Sequence, residues 1–283
     1  MGVKAILDFV KIEHTLFSLP FVFIGALLAG TPTALQITWI LIAAVGARGL
    51  AMALNRIIDR EIDARNPRTE GRHLASGSMS LGTAWGLAAL FLAMLGIGAW
   101  QLHPICLWLA PVPVFTFVVY PYLKRFTWAC HFWLGLCLAL APAGAWLAIQ
   151  APLLGWAAIT EMHWWPTLFW VSLGVLLWIA AFDLNYALMD VESDRAQGIH
   201  SFPAKYGPKA TVRTSAQLTL AWFACFMLAD PVDAFTFASA AILTAGANLF
   251  VIVRMQDRDD FQTIFFRSSV ITGWVLLAGL VFA

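Results

Sequence analysis

Two short acidic series carry the chemistry this sequence can do. Asn55, Asp59 and Asp63 recur every fourth residue, and Asp190 and Asp194 repeat that spacing, with Asp183 seven residues before Asp190. On a helix such positions share a face. Like charges one turn apart repel, so the arrangement costs stability unless something neutralises it. Carboxylate oxygens are hard ligands suited to Mg²⁺, which commonly bridges one or two carboxylates and the phosphates of a substrate. Two such series facing each other could hold a diphosphate between metal ions. The plainer alternative for either series alone is a solvated, charged loop after an apolar helix. Matching positions argue against it, since Asp59 to Asp190 and Asp63 to Asp194 are each 131 residues apart.

Basic residues flank both series. Asn66, Arg68, Thr69 and Arg72 follow the first; Gly198, Ser201 and Lys205 follow the second; Tyr120-Pro-Tyr-Leu-Lys124-Arg125 forms a third segment. Arg and Lys neutralise phosphate oxygens as negative charge builds on a leaving diphosphate. Arg48 stands seven residues before Asn55, on the same helix face and roughly 10 Å deeper. An ionisable residue at that depth faces a cavity or a partner, or snorkels to the interface; in a cavity it could pair with a substrate carboxylate. Cys106, Cys130, Cys137 and Cys225 lie in or beside apolar runs with no CxxC or Cys/His spacing, which excludes a zinc site of the usual patterns.

The elements that position these residues must cross lipid. The chain is 61% hydrophobic and 12% charged, about half the charged fraction of a soluble domain. A helix needs roughly 20 apolar residues to span the hydrocarbon core. That window predicts nine spans near 15–31, 36–57, 82–101, 104–121, 128–150, 166–187, 214–230, 233–254 and 264–282. The runs are apolar on all faces, not alternating, which excludes a β-barrel. The first span follows Lys4 and Lys11 and reads as a retained helix, not a cleaved signal.

Alternating the loops places all 17 Lys and Arg on one side, with only Glu161, Asp230 and Asp233 opposite. The positive-inside rule assigns the basic side to the cytoplasm. Trp100, Trp146, Trp156, Trp164 and Trp165 form an aromatic belt at the far interface. The expected fold is all-α: one polytopic bundle over residues 1–283. It divides into pseudo-repeat units of about 12–125 and 126–255 plus a ninth helix, 264–282.

The pattern Asn55xxxAsp59xxxAsp63xxAsn66xArg68Thr69xxArg72, with Asp183xxTyr186AlaxxAsp190xxxAsp194xxxGly198xxSer201, resembles the UbiA superfamily of intramembrane prenyltransferases. Tyr120-Pro-x-x-Lys124-Arg125 is similar to that family's third stretch. Lys11-Ile-Glu-His14-Thr-Leu-Phe-Ser-Leu-Pro20 and the run Asp190–Pro203 resemble its 4-hydroxybenzoate polyprenyltransferase-like branch. One departure is His73, where many relatives carry proline after the arginine.

The resemblance implies about nine transmembrane helices around a central cavity with cytoplasmic cap loops, in a bacterial inner membrane. It implies that Asn55, Asp59, Asp63, Asp190 and Asp194 hold Mg²⁺ and the diphosphate. It implies that Arg68, Arg72, Lys124 and Lys205 steady the phosphate oxygens. Asp183 would position the aromatic acceptor or take the ring proton, with Tyr186 and Tyr120 beside the site. The implied partners are a polyprenyl diphosphate, a small aromatic acid and the lipid bilayer, with no nucleic acid.

The leading expectation is prenylation of 4-hydroxybenzoate for ubiquinone. The rival within the class is a dihydroxynaphthoate acceptor for menaquinone by the futalosine route. A CDP-alcohol phosphotransferase would need a compact D-x-x-D-G segment that is absent. A cation transporter would need carboxylates along a through-path, whereas these gather at one face.

Overall fold

The computed structural model describes residues 2–11, 15–229, 231 and 235–283. Residues 12–14 of the Lys11–Pro20 run, and the far-side acids Asp230 and Asp233, lie outside the described residues. Every regular element among the described residues is helical. Eight helices are long and apolar enough to cross a membrane, and a ninth span is counted if α1 (Val3–Val10) and α2 (Thr15–Ala29), bent by 70°, form one unit. The bundle is an integral membrane protein.

The long helices are α3 (Ala34–Ile58), α5 (Leu81–Leu102), α8 (Cys130–Leu154), α10 (Thr167–Tyr186), α13 (Pro208–Ala229), α14 (Phe235–Arg254) and α15 (Phe261–Val281). The span expected at 104–121 is split into α6 (Pro104–Leu109) and α7 (Pro111–Leu123), because Pro111 lacks the N–H that a continuous helix would use. Local signals fix several starts. Thr33 and Gln36 form a capping box at α3. Ser80 accepts from the Thr83 amide at 3.1 Å at α5.

Helix contacts run α3 against α5 and α7, α7 against α8, α8 against α2 and α10, then through α13, α14 and α15 back to α2. Close approach is written into glycine. A Cβ on Gly46 would stand 2.5 Å from the Leu95 amide nitrogen, and one on Gly135 2.3 Å from the Leu176 carbonyl oxygen. Aromatic packing fills the other half: Phe17 stacks on Trp178 at 4.4 Å, and Phe182 on Phe265 at 5.5 Å. Between the halves lies a cavity of about 750 Å³. That volume is in the range of small-molecule sites.

Both acidic series sit where a helix breaks. The sequence expectation ended the spans at 57 and 187, just before or within each series, and the helices end within a residue of those positions. At the first, α3 stops at Asp59, whose φ −94° and ψ 4° lie in the bridge region, and the short α4 (Arg60–Ala64) follows. Likewise α10 gives way to a 3₁₀ turn, Ala187–Asp190; Asp190 has φ −112° and ψ 4°, and α11 (Val191–Gln197) follows. Polar residues compete with the ladder for backbone partners at the end of an apolar span, and at the second break α11 runs on from α10 within one helical stretch, Thr167–Gln197. The cap is completed by α12 (Phe202–Tyr206), started by Ser201 with Pro203 in its first turn.

Candidate active site

The cavity mouth gathers Asn55, Asp59, Asp63, Arg68, Arg72, Tyr120, Lys124, Asp183, Tyr186, Asp190 and Asp194, with Arg48 deeper along α3. Spacing linked the acids and Arg48, flanking position and the family resemblance added the basic residues and tyrosines, and the fold brings them together in space. Lys205 is the exception. It is exposed, its ammonium sits 5.1 Å from the Tyr206 ring centroid, and it is absent from the cavity lining.

Each series is neutralised by a cation from another segment. Asp59 Oδ2 meets Lys124 Nζ at 2.6 Å and accepts from Asn55 Nδ2 at 3.0 Å. Asp63 Oδ1 meets Arg72 at 2.7 Å, while Thr69 Oγ1 donates to the Asp63 carbonyl at 2.9 Å and shapes the loop. Asp190 is held by a fork: Arg68 donates to its two oxygens at 2.8 and 2.5 Å, and Asn66 adds a bond of 2.7 Å. A bidentate guanidinium–carboxylate pair fixes orientation as well as charge. Here it ties the loop after α4 to the break after α10, joining the two halves of the mouth. The Arg68 guanidinium also lies 5.3 Å from the Tyr186 ring centroid.

The electrostatics follow from burial. Asp59 is almost wholly inaccessible, and burial pushes its carboxyl above the usual carboxylate range against the opposing pull of Lys124. Burial disfavours the charged form of Arg68, but its hydrogen bonds to Asp190 outweigh that and hold it above its ordinary value.

Two arginines stand outside this pairing. Arg56 is 5% exposed, and its Nε and Nη1 have no hydrogen-bond partner among the described residues; Arg48 Nε is likewise buried without one. Neither is in an ion pair among the described residues, and both line the cavity. A buried unpaired cation is costly, so each is a ready partner for an anion. Sequence reading passed over Arg56, although its eight-residue offset from Arg48 puts both toward one side of α3. His131 was also missed. It is 3% exposed and hydrogen-bonds Asp183 at 2.7 Å across 52 residues of sequence, a link that local spacing cannot reveal.

Among the described residues no three His, Cys, Asp or Glu side chains converge on a common point. The donors still fit a hard divalent cation. All are carboxylate or amide oxygens around one mouth, and Asp59 Oδ1 is buried with no hydrogen-bond partner among the described residues. Substrate oxygens would supply the rest of the shell. Below the mouth the lining turns apolar, running past Val22, Ile40, Ala141 and Leu168 to Trp146 and Trp164 at the far end. An anionic head and a long hydrocarbon tail match these two zones.

Comparison with known proteins agrees with this geometry. The model of the UbiA prenyltransferase family matches residues 18–270. A curated relative, a 4-hydroxybenzoate octaprenyltransferase of Vibrio campbellii, is 29% identical over 247 residues, covering 83% of this chain and 80% of that protein. The apo structure of a UbiA homolog from Aeropyrum pernix superposes with a TM-score of 0.81 at 31% identity, covering 96% of this chain and 98% of that one. A UbiA homolog from Archaeoglobus fulgidus, bound to GPP and Mg²⁺, shares the fold at a TM-score of 0.71 and 16% identity, over 98% of this chain and 99% of that one.

Proposed function

The chain belongs to the UbiA prenyltransferase family, and from that premise we propose that it transfers a polyprenyl group from its diphosphate to 4-hydroxybenzoate. The observation that carries this reading is the unpaired Arg48 in the cavity beneath a cation-lined mouth. A diphosphate is served by the mouth, and a second, smaller anion is served by Arg48. A carboxylated aromatic ring supplies that anion. The relative from Vibrio campbellii is named for 4-hydroxybenzoate, which favours that acceptor over a dihydroxynaphthoate.

Asn55, Asp59, Asp63, Asp190 and Asp194 would hold magnesium with the diphosphate. When bound, the metal supplies charge neutralisation for the leaving group. The homolog carrying GPP and Mg²⁺ supports that choice of cation. On substrate binding Lys124, Arg68 and Arg72 turn from carboxylate to phosphate oxygens, and Arg56 takes a further share of the negative charge. As the allylic C–O bond breaks, its electrons leave with the diphosphate. The acceptor ring forms the new C–C bond, and the displaced ring proton passes to Asp183. Arg48 holds the acceptor carboxylate. Tyr120 and Tyr186 line the same space. The active site faces the cytoplasm of a bacterial inner membrane, in keeping with the basic loops on that side.

The test is prenyl transfer by membranes carrying this chain, with radiolabelled polyprenyl diphosphate and either 4-hydroxybenzoate or a dihydroxynaphthoate. Product is expected with 4-hydroxybenzoate and Mg²⁺, and its loss by at least about 100-fold on chelation, in Asp59→Ala and in Asp190→Ala. Product with the naphthoate alone would reassign the acceptor. Product with neither would sink the aromatic reading.

A further inference from the structure

His131 makes two hydrogen bonds, one at each ring nitrogen, and together they select its tautomer. The Phe202 amide donates to Nε2 at 3.1 Å. A ring nitrogen that accepts carries no proton, so the tautomer that matches this bond has its N–H on Nδ1. Nδ1 then donates to Asp183 Oδ2 at 2.7 Å. The protonated ring, with N–H on both nitrogens, would set a donor against the Phe202 amide. The tautomer is therefore fixed by the backbone of the cap.

The consequences fall on Asp183. One of its oxygens is occupied, and the other makes no hydrogen bond among the described residues while the side chain lines the cavity. With Oδ2 engaged by His131, the oxygen left for whatever occupies the space below the mouth is Oδ1. His131 also joins three elements. It sits in the first turn of α8, holds Asp183 on α10, and satisfies one of the unpaired amides at the start of α12. The segment entering α12 is further tied to the end of α7 by the His200 amide, which donates to the Lys124 carbonyl at 2.8 Å. Phe202 packs against Trp128 at 5.5 Å.

We propose that His131 is a positioning residue for the transfer step. It holds Asp183 with Oδ1 aimed at the acceptor ring and makes that aim depend on the seating of the second cap segment. This rests on the prenyl-transfer reading above. In that step the bond from the ring carbon to the allylic carbon forms, the bond from the allylic carbon to the diphosphate oxygen breaks, and the ring proton goes to Asp183 Oδ1.

The experiment compares wild type, His131→Leu, His131→Gln, Asp183→Asn and the double variants in membranes. It uses the acceptor that wild type prenylates. Removing an orienting hydrogen-bond partner typically costs about 10- to 100-fold. His131→Leu is expected to lower kcat by that factor while KM for the prenyl diphosphate holds within about threefold. Glutamine offers an N–H for Asp183 and an oxygen for the Phe202 amide, so His131→Gln is expected to recover most of the loss. In the Asp183→Asn background, His131→Leu should cost little more, because the effect runs through Asp183.

Wild-type kcat in His131→Leu would overturn the proposal, and so would an equal, additive loss in the Asp183→Asn background. If His131→Leu fails to insert, the comparison passes to His131→Gln against His131→Glu. Glutamate keeps the shape but cannot donate when ionised, and equal rates for that pair would overturn the proposal. A wild type inactive with every aromatic acid would fail the transfer reading itself, an outcome distinct from these.

Discussion

At the scale of single residues, the site is a set of matched charges with two deliberate mismatches. Asp59, Asp63 and Asp190 each have a cation, whereas Arg48 and Arg56 are in no ion pair among the described residues. An unpaired buried guanidinium destabilises the ligand-free protein and strengthens whatever anion it meets. Arg56→Met should therefore act in opposite directions on stability and on binding. Without substrate, the variant in detergent is expected to unfold at a higher temperature than wild type. Its KM for the prenyl diphosphate is expected to rise about 10- to 100-fold, the worth of hydrogen bonds to a charged group. A KM that stays put would remove Arg56 from the diphosphate site. The aspartates were legible in the sequence because two carboxylate series at helical spacing recur 131 residues apart, which a solvated loop after one apolar helix does not explain. Arg56 was hidden by its neighbour Asn55, which already accounted for the motif. His131 was hidden because a lone histidine opening an apolar helix says nothing about a partner 52 residues away.

At the scale of elements, the two halves use the same device. A long apolar helix is followed, directly at Asp59 and after a 3₁₀ turn at Asp190, by an aspartate in the bridge region and a short acidic helix. We take this shared geometry at Asp59 and Asp190 as support for a pseudo-repeat, for which the signs in the sequence were the 131-residue offset and the matching place of the two spans, second among the first four and second among the next four. The span positions were readable from apolar run length alone. The breaks were not, since i, i+4 spacing describes a continuous helix and a broken one equally well. The halves are joined by the Arg68–Asp190 fork, in which Arg68 is 29% and Asp190 14% exposed. Arg68→Lys keeps the charge but loses the two-pronged geometry. Trypsin cleavage within 60–80 is expected to quicken by about tenfold, corresponding to a loss of roughly 1.4 kcal/mol in local closure. Cleavage at the wild-type rate would mean that the fork does not hold the cap down.

At the scale of the whole molecule, charge and shape agree on one orientation. The acids, their cations and both cap segments share one end of the bundle, and the tryptophan-rich turn at α9 (Ala157–Thr160) caps the other. We propose that the diphosphate arrives at this end, on the side where the loop charges place the Lys and Arg, since a charged head group cannot be drawn through the apolar length of the cavity without losing its hydration. This topology is testable without activity. The four native cysteines are buried or half-buried, so a membrane-impermeant maleimide should label wild type weakly in sealed vesicles. Ser78, in the first cap loop, and Thr160, at the end of α9, are both exposed. Ser78→Cys is expected to react in inside-out vesicles and not in right-side-out ones, and Thr160→Cys to show the reverse. Labelling of both cysteines from the same face would break the span count. Labelling of each from the face opposite to that expected would turn the bundle over and place the mouth, with its diphosphate, outside the cell.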